Sequence, residues 1–90
     1  MQVRFLNIDK SKAYLLGYEL KLSKTELALL YEISQGGKTG VDDLLNILSS
    51  GVSRGNVSVH VNAINNKAKK ISGRNLVVFN NGRYTINPFM

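Results

Sequence analysis

The reactive side chains of this 90-residue chain are few, and their scarcity narrows its chemistry. His60 is the one imidazole, and there is no cysteine to serve as nucleophile, disulfide or thiolate ligand. The six acidic residues are scattered except for Asp42 and Asp43, and adjacent positions on a helix point about 100° apart. Neither a paired-carboxylate centre nor a metal site is expected from this stock, and no phosphate-cradling glycine pattern occurs. An enzyme is therefore not expected, and no cofactor or metal is implied. What the chain does hold, from residue 54 onward, is a set of amides, hydroxyls and cations: Ser58, Asn62, Asn66, Lys67, Lys69, Lys70, Arg74 and Arg83. Asparagine can pair bidentately with adenine and an exposed valine such as Val59 can touch a thymine methyl, while lysine and arginine neutralise phosphates. That chemistry suits a double-stranded nucleic acid.

Charge points the same way. Twelve Lys and Arg against six Asp and Glu give a net charge of +6. Up to Asp43 the two signs balance, with Arg4, Lys10, Lys12, Lys21, Lys24 and Lys38 facing Asp9, Glu19, Glu26, Glu32, Asp42 and Asp43. From Leu44 to Met90 there is no acidic side chain, so the whole surplus lies in the second half and nothing there repels a polyanion. The apolar fraction of 43% with 20% charged residues is globular composition, and the length suits one hydrophobic core. No apolar run approaches the ~20 residues of a membrane span, and Met1-Gln2-Val3-Arg4 lacks the build of a signal peptide. A soluble, cytoplasmic protein without membrane contact is expected.

The elements that must position these groups are legible in order. Gln2 to Ile8, Ala13 to Leu16 and Tyr18 to Leu22 read as a three-stranded antiparallel meander, with a polar turn at Asp9 to Lys12 and a break at Gly17. Ser23-Lys24-Thr25-Glu26 fits a capping box, so a helix should begin there and end at Gly36-Gly37. A second helix should run from about Val41, with Asp42 and Asp43 at its positive end and Leu44, Leu45, Ile47 and Leu48 as its apolar face, to Ser49-Ser50-Gly51. In the third, capped by Ser53, the residues Val57, Val61, Ile64, Ala68 and Ile71 fall at intervals of four, three, four and three, forming one apolar stripe. Gly55, Ser58, Val59, Asn62, Asn66, Lys69 and Lys70 face the other way without a carboxylate, and His60 stands at the boundary. Leu76 to Phe79 and Tyr84 to Ile86 flank Asn81-Gly82, a strong signal for a two-residue hairpin.

Particular residues add a resemblance to this order. Leu22-Ser23-Lys24-Thr25-Glu26-Leu27-Ala28-Leu29-Leu30, Val57-Ser58-Val59-His60-Val61 with Ile64 and Lys67, and Asn81-Gly82-Arg83-Tyr84-Thr85-Ile86 resemble, in sequence and order, the motifs of the winged-helix effector domain of OmpR/PhoB-type response regulators. The resemblance covers nearly the whole chain. It implies that the third helix lies in a major groove, with Asn56, Ser58, Val59, Asn62, Ala63 and Asn65 at positions that meet bases or phosphates. It also places Asn80 where the family has a wing arginine, a contact that Arg83 could take over. RNA polymerase, a receiver or sensor domain on a longer chain, and a dimer on tandem half-sites are the further partners it implies.

The expected architecture is α+β: a single winged helix-turn-helix domain over 1–90, with an N-terminal antiparallel sheet (1–22), three helices (23–71) and a C-terminal wing hairpin (75–86). The expected function is that of the DNA-binding domain of a transcription regulator, with the third helix (about 54–71) in the major groove and the wing on the backbone or minor groove. Its contacts would come from Arg54, Asn56, Ser58, Val59, Asn62, Ala63, Asn65, Asn66, Lys67, Lys69, Lys70, Asn80 and Arg83. The alternative is a winged-helix module that binds another protein through Val59, Tyr14 or the wing and does not bind DNA.

Overall fold

The computed structural model describes residues 6–9, 11–36, 39–46 and 54–87, with the side chains of 54–56 left out. Three short strands come first, β1 (Leu6–Ile8), β2 (Ala13–Leu15) and β3 (Tyr18–Leu20), in an antiparallel sheet of that order. Leu6 stands opposite Leu15 and Ala13 opposite Leu20, so the buried members of all three strands meet on one face. The β1–β2 turn is held by Asp9, whose Oδ1 accepts from the Ser11 amide at 2.7 Å, the Ser11 hydroxyl at 2.8 Å and the Lys12 amide at 2.8 Å. The middle strand is shorter than its sequence suggests, because Leu16 is not paired in β2. With φ of 52° it forms the β2–β3 turn together with Gly17 at 85°. The third strand also stops early, at Leu20, and the expectations for residues 2–5 lie outside the described residues.

The capping box forms as expected at the start of α1 (Lys24–Gln35). The Glu26 amide donates to Ser23 Oγ at 3.2 Å, and the Ser23 amide donates to Glu26 Oε1 at 3.0 Å. Leu29, Leu30 and Ile33 form the buried side of α1, and Gly36 closes it with φ of 74°. The short α2 (Val41–Leu45) buries Leu44 and half-buries Leu45; Ile47, Leu48 and the expected stop at 49–51 lie outside the described residues. The longest element is α3 (Arg54–Ser72), which packs against α1, α2, β2, β3 and β4. Its stripe enters the core as the spacing predicts: Val57, Val61, Ile64 and Ala68 are buried, and Ile71 packs at the edge.

Antiparallel strands β4 (Val77–Asn80) and β5 (Arg83–Ile86) close the chain, joined by Asn81 at φ 53° and Gly82 at φ 76°. Both signs match the two-residue hairpin turn that Asn-Gly favours. The hairpin gains a third edge from a stretch the sequence left as loop. The Tyr84 amide donates to the Thr39 carbonyl at 3.0 Å, and Gly40 bridges Arg83. The architecture is α+β and that of a winged helix: an N-terminal three-stranded antiparallel sheet, helices, and a C-terminal hairpin.

Candidate nucleic-acid interface

The stripe that buries one side of α3 necessarily turns the opposite side to solvent. Ser58, Val59, Asn62, Asn66, Lys69 and Lys70 are all exposed there, Val59 to 62%. Positions 58, 62, 66 and 70 recur every four residues and therefore line up along the helix, over about 18 Å at 1.5 Å per residue. Its outward row consists of a hydroxyl, two amides and an ammonium group, with a valine beside them. Ala63 lies half-buried at the flank. Lys69 and Lys70 occupy the last turn, where they also complement the negative end of the helix dipole. On the wing, Asn80, Asn81, Gly82 and Arg83 are exposed around the turn.

One of the expected contact residues is committed elsewhere, and another is engaged in the fold. Asn65 is buried, and its amide is bonded on both sides to one residue of β4: Nδ2 donates to the Val77 carbonyl at 2.9 Å, while the Val77 amide donates to Oδ1 at 2.8 Å. The side chain thus stands in for the missing neighbour of an edge strand, and it is not available to a base or phosphate. This corrects the sequence expectation. The position was legible as an inward one, since Val61, Asn65 and Ala68 continue the stripe at intervals of four and three. Polarity concealed it, because an amide suits a reading face equally well.

Lys67 is held in an ion pair, with its side chain still 39% exposed. Its ammonium donates to Glu26 Oε1 at 2.7 Å, which ties α3 to the capping box of α1. Burial alone would raise the Glu26 carboxyl. The Lys67 ammonium, the Ser23 amide and the Coulomb field of Lys67 and His60 outweigh burial and hold it below the usual carboxylate range. His60 is half-buried on the same flank, as its place beside the stripe suggests. The side chains of Arg54 and Asn56, and the Ser53 cap, lie outside the described residues.

Sequence reasoning missed one exposed side chain on the wing. The sequence marks Phe79 only as a strand residue, yet it is 57% exposed. It stands opposite Tyr84 in the ladder, with ring centroids 4.8 Å apart and planes tilted by 58°. The signal was its place at the strand's outer end, beyond the reach of the core that covers Val77 and Ile86.

No protein-family model matches the chain, and no curated protein matches it. Among solved structures, it is similar to one described as belonging to a novel family of redox sensors in the streptococci that evolved from two-component response regulators. The two superpose with a TM-score of 0.76 at 20% sequence identity, over 96% of this chain and 41% of the other. At that identity the likeness speaks for a shared fold, which is the one that the order of elements had implied. Among the described residues, no helix is long and apolar enough to cross a membrane.

Proposed function

We propose that this chain is the DNA-binding domain of a transcription regulator, with α3 as the reading helix and the β4–β5 hairpin as the wing. The carrying observation is the exposed, carboxylate-free row on α3 formed by Ser58, Val59, Asn62, Asn66, Lys69 and Lys70. A face that merely meets water usually mixes both charge signs. The row is longer than the major groove is wide, about 12 Å. Ser58, Val59 and Asn62 would lie among the bases, and Lys69 and Lys70 would fall at the flanking phosphates. In this reading Asn62 pairs with adenine, Val59 meets a thymine methyl, and Asn80 and Arg83 grip the backbone or minor groove beside it. Lys67 and Asn65 hold the two reading elements in place.

The similar solved structure supports a place in regulation, since its family evolved from response regulators. This chain spans less than half of that one, and a receiver or sensor domain is the partner we propose for it, with RNA polymerase or a second copy on tandem half-sites as further partners. Without cysteine, these residues carry no thiol through which to sense redox state.

An amide-resolved NMR titration with a random-sequence duplex at low and moderate salt tests the reading. Shifts concentrated in 57–70 and 79–84 that fade with salt are expected. In binding assays, Asn62→Ala should weaken a preferred site more than random duplex, whereas Lys69→Ala should weaken both alike and lower the salt slope by about one. The exposed Val59 suits the alternative, docking of another protein. If that alternative holds, Val59→Glu should abolish capture of the partner while Asn62→Ala and Lys69→Ala are silent.

A further inference from the structure

Phe79 is the one large apolar side chain exposed on the wing among the described residues, and it has no part in the contacts proposed above. Its ring is braced from one side by Tyr84, which is itself buried and bonded through its backbone amide to Thr39. The platform therefore does not depend on the hairpin alone. The next pair of the ladder, Asn80 opposite Arg83, projects from the other face of the hairpin, so its two faces carry an aromatic and a polar, basic pair. The whole stretch from Leu44 onward has no acidic side chain, which disfavours a basic partner and favours a polyanion.

We propose that Phe79 is an apolar contact residue of the wing, packing its exposed ring against the deoxyribose wall of a DNA minor groove. The proposal rests on the DNA-binding reading and deepens it. Its geometry follows from the shape of the hairpin and the size of the groove. The tip of the hairpin is narrow, since Gly82 has no side chain and only Asn81 flanks it. Phe79 stands two positions before Asn81, about 7 Å back along a strand. The minor groove of B-DNA is about 6 Å wide, too narrow for two strands about 4.8 Å apart together with their atoms, so the paired strands stay outside it and follow its edge. A ring carried on a strand at that edge meets the rim, where the C–H faces of the sugars are the apolar surface that the backbone offers. Arg83, one position nearer the tip and on the other face of the hairpin, would meet the phosphates on the other side of the contact. The aromatic ring supplies a contact that carries no charge, so its contribution to affinity should not depend on counterion release.

That independence is the test. Binding of the 90-residue chain to a random-sequence duplex is measured by anisotropy from low to moderate salt, for the unaltered protein, Phe79→Ala, Phe79→Leu and Lys69→Ala. Phe79→Ala is expected to weaken binding about tenfold at every salt concentration with an unchanged slope. Phe79→Leu, which keeps an apolar side chain and the hairpin, should recover most of the loss and excludes misfolding as its cause. Lys69→Ala should instead lower the slope. In the complex, the Phe79 ring protons should show intermolecular nuclear Overhauser effects to deoxyribose H4′ and H5′ protons. Unaltered affinity in Phe79→Ala, with Lys69→Ala weakened, would overturn the wing contact and leave the DNA reading standing. Absence of any duplex binding by the unaltered chain at low salt would overturn both, and Phe79 would then be sought in a protein interface.

Discussion

Two hairpin turns in this molecule have nearly the same backbone and different occupants. The β2–β3 turn places Leu16 at φ 52° and Gly17 at 85°, and the β4–β5 turn places Asn81 at 53° and Gly82 at 76°. Asparagine tolerates the left-handed region, whereas leucine there crowds its Cβ against the following carbonyl at a cost of about 1–2 kcal/mol. Burial of the Leu16 side chain offsets little of that, because it is half exposed. The strained turn is therefore imposed by its strands, whose Ala13, Leu15 and Leu20 are fixed in the core. The wing turn adopts its shape by local preference. Where the body of the protein dictates geometry an unsuitable residue survives, and where a hairpin projects beyond the core the turn chemistry has to specify it.

The link between wing and body is where a substitution should cost most. Asn65→Ala leaves the Val77 amide and carbonyl without their partner in a buried place, which should cost about 2–4 kcal/mol in urea denaturation and raise amide exchange across 77–86 first. Gly82→Ala comes next. Nothing lies within 4 Å of the added methyl, so the loss of about 1–2 kcal/mol expected from thermal unfolding would come from backbone conformation alone. Leu16→Asn acts in the opposite direction and should stabilise by about 0.5–1 kcal/mol, a gain that Asn81 already provides in the wing. The smallest effect separates the two regions by acid. Asp9 is held below its ordinary value by the Ser11 and Lys12 amides, and Glu26 is held low as described. Groups depressed in the folded state stabilise it above their unfolded values and lose that contribution as pH falls through the folded ones. Amide shifts at Ser11, Lys12 and Ser23 should therefore move below about pH 4, while those of Val78 and Thr85, in a hairpin with no carboxylate, stay in place.

Elements with a local cause were the legible part of this fold. The stripe of α3, the Ser23–Glu26 capping box and the Asn81-Gly82 turn each rest on residues within a few positions of one another. What escaped depends on distant partners. Lys67 and Glu26 are 41 positions apart, and nothing near Lys67 marks it as half of an ion pair. Gly40 meets Arg83 through a single bridge, too short to leave an alternation in the sequence. Asn65 had a local signal in its spacing, but its polarity argued against the core, and only the edge of β4 explains why an amide belongs there. Of the candidate surface, the row on α3 followed from periodicity, while the exposure of Phe79 depends on how far the hairpin projects.

The bond between Thr39 and Tyr84 bears on the order in which the molecule assembles. A two-residue hairpin closes in microseconds from local contacts, so the wing is among the first pieces able to form. Its seat, however, requires the chain between residues 39 and 84 to be brought round as one loop, against the entropy of closing it. Docking of the wing is thereby the step that carries the cost of closing a long loop, and the arrangement of helix and hairpin depends on it.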